Sequence, residues 1–522
     1  MPNAENKTTD AKSDSRAARP EGRSLVLLTF ILAIVFVGSG LLGHAPWKLH
    51  EVQNLEIVQT MTENGDFVVP MRADQVILDT PPLYFMTAVG LSEKLADYIP
   101  ERDAARAATG LYLAITLLFA GLLGRLTWKP VEHKGVGRTG AMTVLILIGT
   151  LGIVWFGHDV TTDSALVAGV TVGLYGLLLL PRRVFWGGLW LGTGAGIAFM
   201  AKGLLGPAIL GVTAVLMPFL ATWGGLGRQI RGMLIGLLFA LPWLAIWPWL
   251  LYQRDPQLLD QWLWGNNLNL YLDNVALGTP QENLQWLWAI LIMAFPAWLL
   301  AVLALILRPF AFFGLPGVRL ALLVSVVGWA VMLTAEAARP IHGAMLLIPL
   351  AVLGAGSITR MPGLLVMPVK WLSSLLFGAM ALALWGLWGY LRFKGELPEL
   401  PQIEQVAAVV PQDYGFAFQP TLYLIAAGAT VLWLWIIMRF RSPQPSALLA
   451  WPAGVVMCWA LLMMHQPLVD KLFAERGLIA EPSIGAPLTL QQPAQASGTA
   501  SGPEAATPES ESQPTAEPAA TP

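Results

Sequence analysis

From Ser24 onward the chain is a succession of apolar runs about 20 residues long, broken by short polar corners, and the first reads "SLVLLTFILAIVFVGSGLLG". About 20 such residues, wound as a helix, cross a hydrocarbon core of about 30 Å. Inside a bilayer the backbone must satisfy its own hydrogen bonds, so consecutive runs of this length predict a bundle of membrane-spanning helices. Charge agrees: only 12% of residues are charged, about half the usual share of a soluble domain, roughly 25%. Further runs are read at 104–124, 139–157, 164–181, 185–201, 203–222, 230–251, 284–307, 317–335, 341–359, 369–391, 421–439 and 446–464. The fold class is therefore an all-α polytopic membrane protein of thirteen spans, within a range of 12–14. The segment 81–98 carries Glu93, Lys94 and Asp97, and either lies along the interface or adds a fourteenth span.

Loops rich in Lys and Arg, such as "GRLTWKPVEHKGVGR" and "PRR" at 181–183, mark the cytoplasmic side. The opposite face then receives two long external loops, 44–103 and 252–283. It also receives the corners "FGHDVTTDS", "MAKGL" and "AEAARPIHG". Three domains are expected: a disordered cytoplasmic N-terminus 1–23, a transmembrane domain 24–465, and an external, mostly disordered tail 466–522 rich in Pro, Ala, Ser and Glu. A net charge of −2 gives no field for nucleic acid. The single cysteine, Cys458, excludes an intrachain disulfide and reads as a packing residue. The absence of GxxxxGK[ST] argues against an ATP-driven pump.

Chemistry gathers at the external face. "WKLHEVQNLEIVQTMTENGDF" predicts a short surface helix, ended by Asn64-Gly65, with Glu51 and Gln59 off its greasy stripe. Glu51 and Asp79 flank the excursion and serve either as solvated loop carboxylates or as a pair supplying a base or metal ligands. Asp163 either caps the helix it opens or faces a ligand. Lys202, between two apolar runs, either snorkels or pairs with an anion, and Arg339 and His342 offer further cationic groups on the same face. A phosphate there would be held by such cations. In the second loop Asn266 and Asn267 stand beside Trp264, an aromatic and amide combination suited to a sugar, although interfacial tryptophans also form the ordinary aromatic belt.

The order of these motifs resembles the GT-C superfamily of lipid-sugar-dependent glycosyltransferases, nearest the bacterial aminoarabinose transferases and protein O-mannosyltransferase-like enzymes. The resemblance is carried by "HEVQNLEIVQTMTENGDFVVP", "LDTPPLYF", "TTDSALVAGVTVGLYG", "GIAFMAKGLLGPAIL" and "ARPIHGAMLLIPLAVLGA", over roughly residues 24–360 and more weakly to about 475. It implies a GT-C-like bundle in a bacterial inner membrane, transferring a sugar from a polyprenyl phosphate to a lipid, glycan or protein acceptor on the periplasmic side. Carried onto this chain, it implies a reactive cluster of His50, Glu51 and Asp79. Lys202, Arg339, His342 and Asp163 would hold donor phosphate, and Asn266, Asn267 and Trp264 sugar or acceptor. A divalent metal, with Glu51 and Asp79 as candidate ligands, is compatible with the pattern.

Three positions depart from it. His50 stands where the family has its catalytic Asp, Thr80 replaces a Lys before the paired prolines, and Asn267 replaces a metal-binding His of the aminoarabinose branch. The second reading is therefore a catalytically silent relative that binds lipid-linked glycan or a partner enzyme as a scaffold.

Overall fold

The computed structural model describes residues 24–131, 138–220, 225–268, 280–334, 340–358, 360–394, 419–440 and 445–475. The N-terminus 1–23 and the tail beyond 475 lie outside these residues, as does Arg339. The regular structure of the described part is helical apart from one two-residue antiparallel hairpin, Met71–Arg72 with Gln75–Val76.

Among the described residues six helices are long and apolar enough to cross a membrane: Glu101–Val131, Val184–Lys202, Leu226–Arg254, Gly363–Lys394, Pro420–Arg439 and Ser446–Met464. A seventh span arises if Leu287–Met293 and Ala297–Leu307, bent by 85° relative to one another, are counted as one. Pro296 lies at that break, where a residue without an N–H cannot continue the ladder. Six further apolar helices, Ser24–Gly38, Arg138–Ile148, Asp163–Leu179, Leu205–Phe219, Pro316–Val331 and Gly343–Ile358, stand where the remaining runs were read but are shorter. Each of the thirteen apolar runs thus carries helix, but among the described residues only six, or seven with the bent pair, reach spanning length by themselves, so the count of thirteen spans is not established. Apolar composition located the segments; glycine, proline and polar interruptions set their lengths. Residues Leu83–Leu95 form a 13-residue helix, about 20 Å long at 1.5 Å per residue, too short for a fourteenth span.

Two features set the geometry of the polar end of the bundle. Asp163–Leu179 and Val184–Lys202 form a tight antiparallel helical hairpin. A Cβ at Gly169, Gly176 or Gly194 would collide with the facing helix backbone, so the small residues let the two axes approach closely. An antiparallel hairpin returns its last residue beside its first, which sets Lys202 next to Asp163. The second feature is the surface helix Leu49–Asn64, which Gly65 ends in the left-handed conformation (φ 65°), its N–H donating to Met61 O at 3.1 Å.

Candidate active site

Helix 49–64 is fastened to the 157–163 corner at both polar atoms of one residue. Asn54 Nδ2 donates to Val160 O at 2.8 Å, and Val160 N donates to Glu51 Oε1 at 3.3 Å. On the far side, Thr109 Oγ1 donates to Asp159 O at 2.6 Å and shares a hydrogen bond with Tyr84 OH at 2.7 Å. The corner is thus braced from three helices.

Between this corner, helix 49–64, the hairpin and the Lys202 corner lies a cavity of about 600 Å³. His50, Asp79, Asp163 and Lys202, read from the sequence as site residues on one face, all line it, together with Arg72, Asn54, Thr80 and Trp155. Lys202 Nζ is 3.6 Å from Asp163 Oδ2. The Asp163 carboxylate also accepts from Thr161 Oγ1 at 3.0 Å and opens its helix, so it both serves the helix end and faces the cavity. Asp79 is exposed, and Asn266 Nδ2 approaches its Oδ1 at 3.4 Å. Trp264 is exposed in the same segment of the second loop.

Glu51 does not share this exposure. Its side chain is 0% exposed and accepts from Arg106 Nε at 2.8 Å, where Arg106 is equally buried. Arg106 Nη1 donates onward to Asp103 Oδ1 at 3.0 Å and to His44 O at 2.7 Å. The sequence expectation that Glu51 stands off the buried stripe is corrected: an arginine on the helix Glu101–Trp128 gives the carboxylate a partner, which permits its burial. Burial raises its pKa despite the neighbouring guanidinium. Asn267 is likewise turned inward, its Oδ1 accepting from Leu204 N at 3.1 Å and its Nδ2 donating to Trp262 O at 3.1 Å. It braces the Lys202-Gly203 corner, where Gly203 has φ +66° and an added Cβ would strike the Asn267 amide. Arg339 and the side chain of His342 fall outside the described residues.

Two charged groups, Lys48 and Arg72, escaped the sequence reading, and a third, Asp159, was read only as part of the 157–163 corner. Lys48 Nζ donates to Asp159 Oδ2 at 2.6 Å and to Trp155 O at 2.6 Å. His50 Nε2 lies 3.5 Å from the same Asp159 oxygen. Burial pushes the Asp159 carboxyl up, but His50 and the Lys48 ammonium outweigh it and hold the group below its ordinary value. Arg72, carried by the hairpin, has Glu56 at 3.9 Å. Only the neighbouring sequence pair "HD" at 158–159 signalled Asp159; Lys48 and Arg72 carried no local signal.

Among the described residues no three His, Cys, Asp or Glu side chains stand together as metal ligands. Glu51 is engaged by Arg106 and Asp79 has an asparagine for its neighbour, so the candidate pair does not fit a metal site.

No family model matches the chain. It is 23% identical over 246 residues to the undecaprenyl phosphate-α-4-amino-4-deoxy-L-arabinose arabinosyl transferase of Pectobacterium carotovorum, covering 45% of this chain and 41% of that protein. The chain thus spans less than half the length of the curated relative it matches. ArnT from Cupriavidus metallidurans bound to undecaprenyl phosphate superposes with a TM-score of 0.56 at 16% identity, over 86% of this chain and 77% of that one. The apo form gives 0.56 at 17% identity, over 86% and 76%. The chain is a multi-span membrane protein with the fold of ArnT.

Proposed function

We propose that the chain is a glycosyltransferase that moves a sugar from a polyprenyl phosphate, of the undecaprenyl type, to a hydroxyl of a lipid, glycan or protein acceptor on the periplasmic side of a bacterial inner membrane. The observation that carries this reading is the single polar cavity joining His50, Asp79 and Asp163 to two cations, Lys202 and Arg72. Transfer breaks the bond between the sugar C1 and the phosphate oxygen and forms one between C1 and the acceptor oxygen. The acceptor proton needs a base, and the departing phosphate needs positive charge. His50 suits the first task, since neutral imidazole accepts a proton and lines the cavity. Lys202 and Arg72 suit the second. Asp79 and Asn266, with exposed Trp264 in the same segment, offer the hydroxyl-binding edge and aromatic surface that a sugar requires.

The relatives support the donor class: one is named for undecaprenyl phosphate-linked aminoarabinose and the other is bound to undecaprenyl phosphate. The test is purified protein in proteoliposomes given a polyprenyl-phosphate sugar, with mass spectrometry of the products. Transfer that falls steeply in His50→Ala supports the reading; equal transfer in that variant overturns it. The scaffold reading draws on Thr80, which lines the cavity without charge at the place where the resembled family pattern has a lysine. Binding of the donor without a new glycosidic bond would identify it.

A further inference from the structure

Proton transfer requires more than a histidine in a cavity: the imidazole must present its lone pair, not its N–H, to the acceptor. His50 has 39% of its side chain exposed, yet its Nε2 is buried and has no hydrogen-bond partner. Asp159 Oδ2 stands 3.5 Å from it. That carboxylate is fixed independently of His50. Its chain position is held by Thr109 through the backbone carbonyl, and its charge by Lys48, which is itself anchored on Trp155 O and lies 4.1 Å over the Trp155 ring.

We propose that Asp159 is a positioning residue for His50, accepting the Nε2–H so that Nδ1 carries the lone pair that takes the acceptor proton. A distance of 3.5 Å is long for a hydrogen bond, and such contacts commonly tighten once substrate is bound. The carboxylate would also stabilise the imidazolium that forms as C1 leaves the phosphate for the acceptor oxygen; the proton ends on Nδ1 and Asp159 stays ionised. The pair is assembled from two elements, the surface helix and the 157–163 corner, and gives this chain an Asp–His device. Its chemistry rests on the transferase reading; its geometry does not.

Two measurements test it. In the proteoliposome assay Asp159→Asn lowers kcat at least about tenfold, with the donor KM within about twofold, and Asp159→Glu restores part of it. In a His50→Ala background the same change costs nothing further. Unchanged kcat in Asp159→Asn, or losses that multiply in the double variant, overturns the pairing. Independently of turnover, 15N-histidine NMR at pH 8 reads the tautomer; His50 is picked out of the six histidines by the signal lost in His50→Gln. The Nε2–H form is expected in the wild type and in Lys48→Ala, and a mixture in Asp159→Ala. An Nδ1–H form in the wild type, or a Lys48→Ala spectrum matching Asp159→Ala, overturns it. A wild-type protein that transfers no sugar sinks the transferase reading alone, because the tautomer still decides the pair.

Discussion

Arg106 Nε donates to Glu51 Oε1 at 2.8 Å with neither side chain exposed at all, although 55 residues separate them. The carboxylate also accepts from Trp47 N at 3.2 Å and from Val160 N at 3.3 Å. One residue therefore ties together the entry to the surface helix, the helix Glu101–Trp128 and the corner that carries Asp159 and Asp163. Removing one member of a buried ion pair leaves the other uncompensated, at a cost of about 3–5 kcal/mol, whereas replacing both with apolar residues is often close to neutral. Glu51→Ala and Arg106→Ala should each lower the melting temperature in detergent and the yield of folded protein. Glu51→Met with Arg106→Met should recover much of the stability. His50→Ala, one helical position away, should leave melting within a degree or two, because the ring is partly solvated. Equal melting of Glu51→Ala and wild type by scanning fluorimetry would refute the strut.

Two cations line the cavity, on elements that the chain brings together from far apart. Hydrogen bonds to charged groups contribute about 1.5–3 kcal/mol each, so Lys202→Ala and Arg72→Ala should each raise the Kd for a polyprenyl phosphate about tenfold or more. Lys202→Arg should retain most of the affinity. Binding to the unsubstituted polyprenol should be indifferent to all three. Titration in nanodiscs with the phosphate and the alcohol provides the comparison.

The difference between what was and was not readable in the sequence follows from distance along the chain. His50, Asp79, Asp163 and Lys202 meet because helices alternate faces, and alternation is legible from the period of apolar runs and their basic corners. The Lys202–Asp163 contact needs only one hairpin with glycines on its facing sides. Arg106 sits in "ERDAARAATG", where it reads as the basic end of an i, i+3 pair with Asp103. Its longer-range partner depends on how the surface helix packs back, which no local pattern encodes. The inward turn of Asn267 was hidden for a similar reason: an amide among tryptophans suits a sugar, and no local pattern shows that its oxygen accepts from Leu204 N at a glycine corner. Lengths were the weakest part, because an apolar run continues through Pro296 while the helix does not.

Two buried histidines predict a stability loss in mild acid. His158, whose Nε2 donates to Phe36 O at 2.8 Å and whose ring stacks on Trp459, is pushed down to about 4 by burial. His44, buried beside the Arg106 guanidinium, is pushed down to about 3, first by burial and then by that charge. Both bind a proton more weakly when folded than unfolded, where the ordinary value is about 6.5. Between that value and about 4 the unfolded chain holds more protons, so stability rises with pH across this window and is complete above it. At pH 5.5 each group should cost roughly 1.4 kcal/mol relative to pH 7.5. Melting temperatures from pH 7.5 to 5 should fall, and the slope should be shallower in His158→Gln. A flat profile in the wild type would contradict the burial of both rings.

Asn266 and Asn267 are neighbours with opposite duties, and substitution should separate them. Asn267 is buried and holds Leu204 N and Trp262 O, so Asn267→Ala leaves two backbone groups without a partner, at about 1–3 kcal/mol for each that stays dry. It should lower melting and loosen Lys202, raising the donor Kd together with the loss of stability. Gly203→Ala should act in the same direction, since φ +66° with ψ −137° is a conformation that residues with a Cβ avoid, costing on the order of 1–3 kcal/mol. Asn266→Ala touches only exposed Asp79 at 3.4 Å, so its melting temperature should be unchanged. If its amide meets the sugar, the change should appear in the ratio of kcat/KM between donors that differ in sugar hydroxyls. Competition between two donor sugars, read by product mass, measures that ratio directly. A constant ratio in Asn266→Ala, with a shifted ratio in a stable Asn267→Ala, would reverse the two assignments and return the buried amide to the sugar.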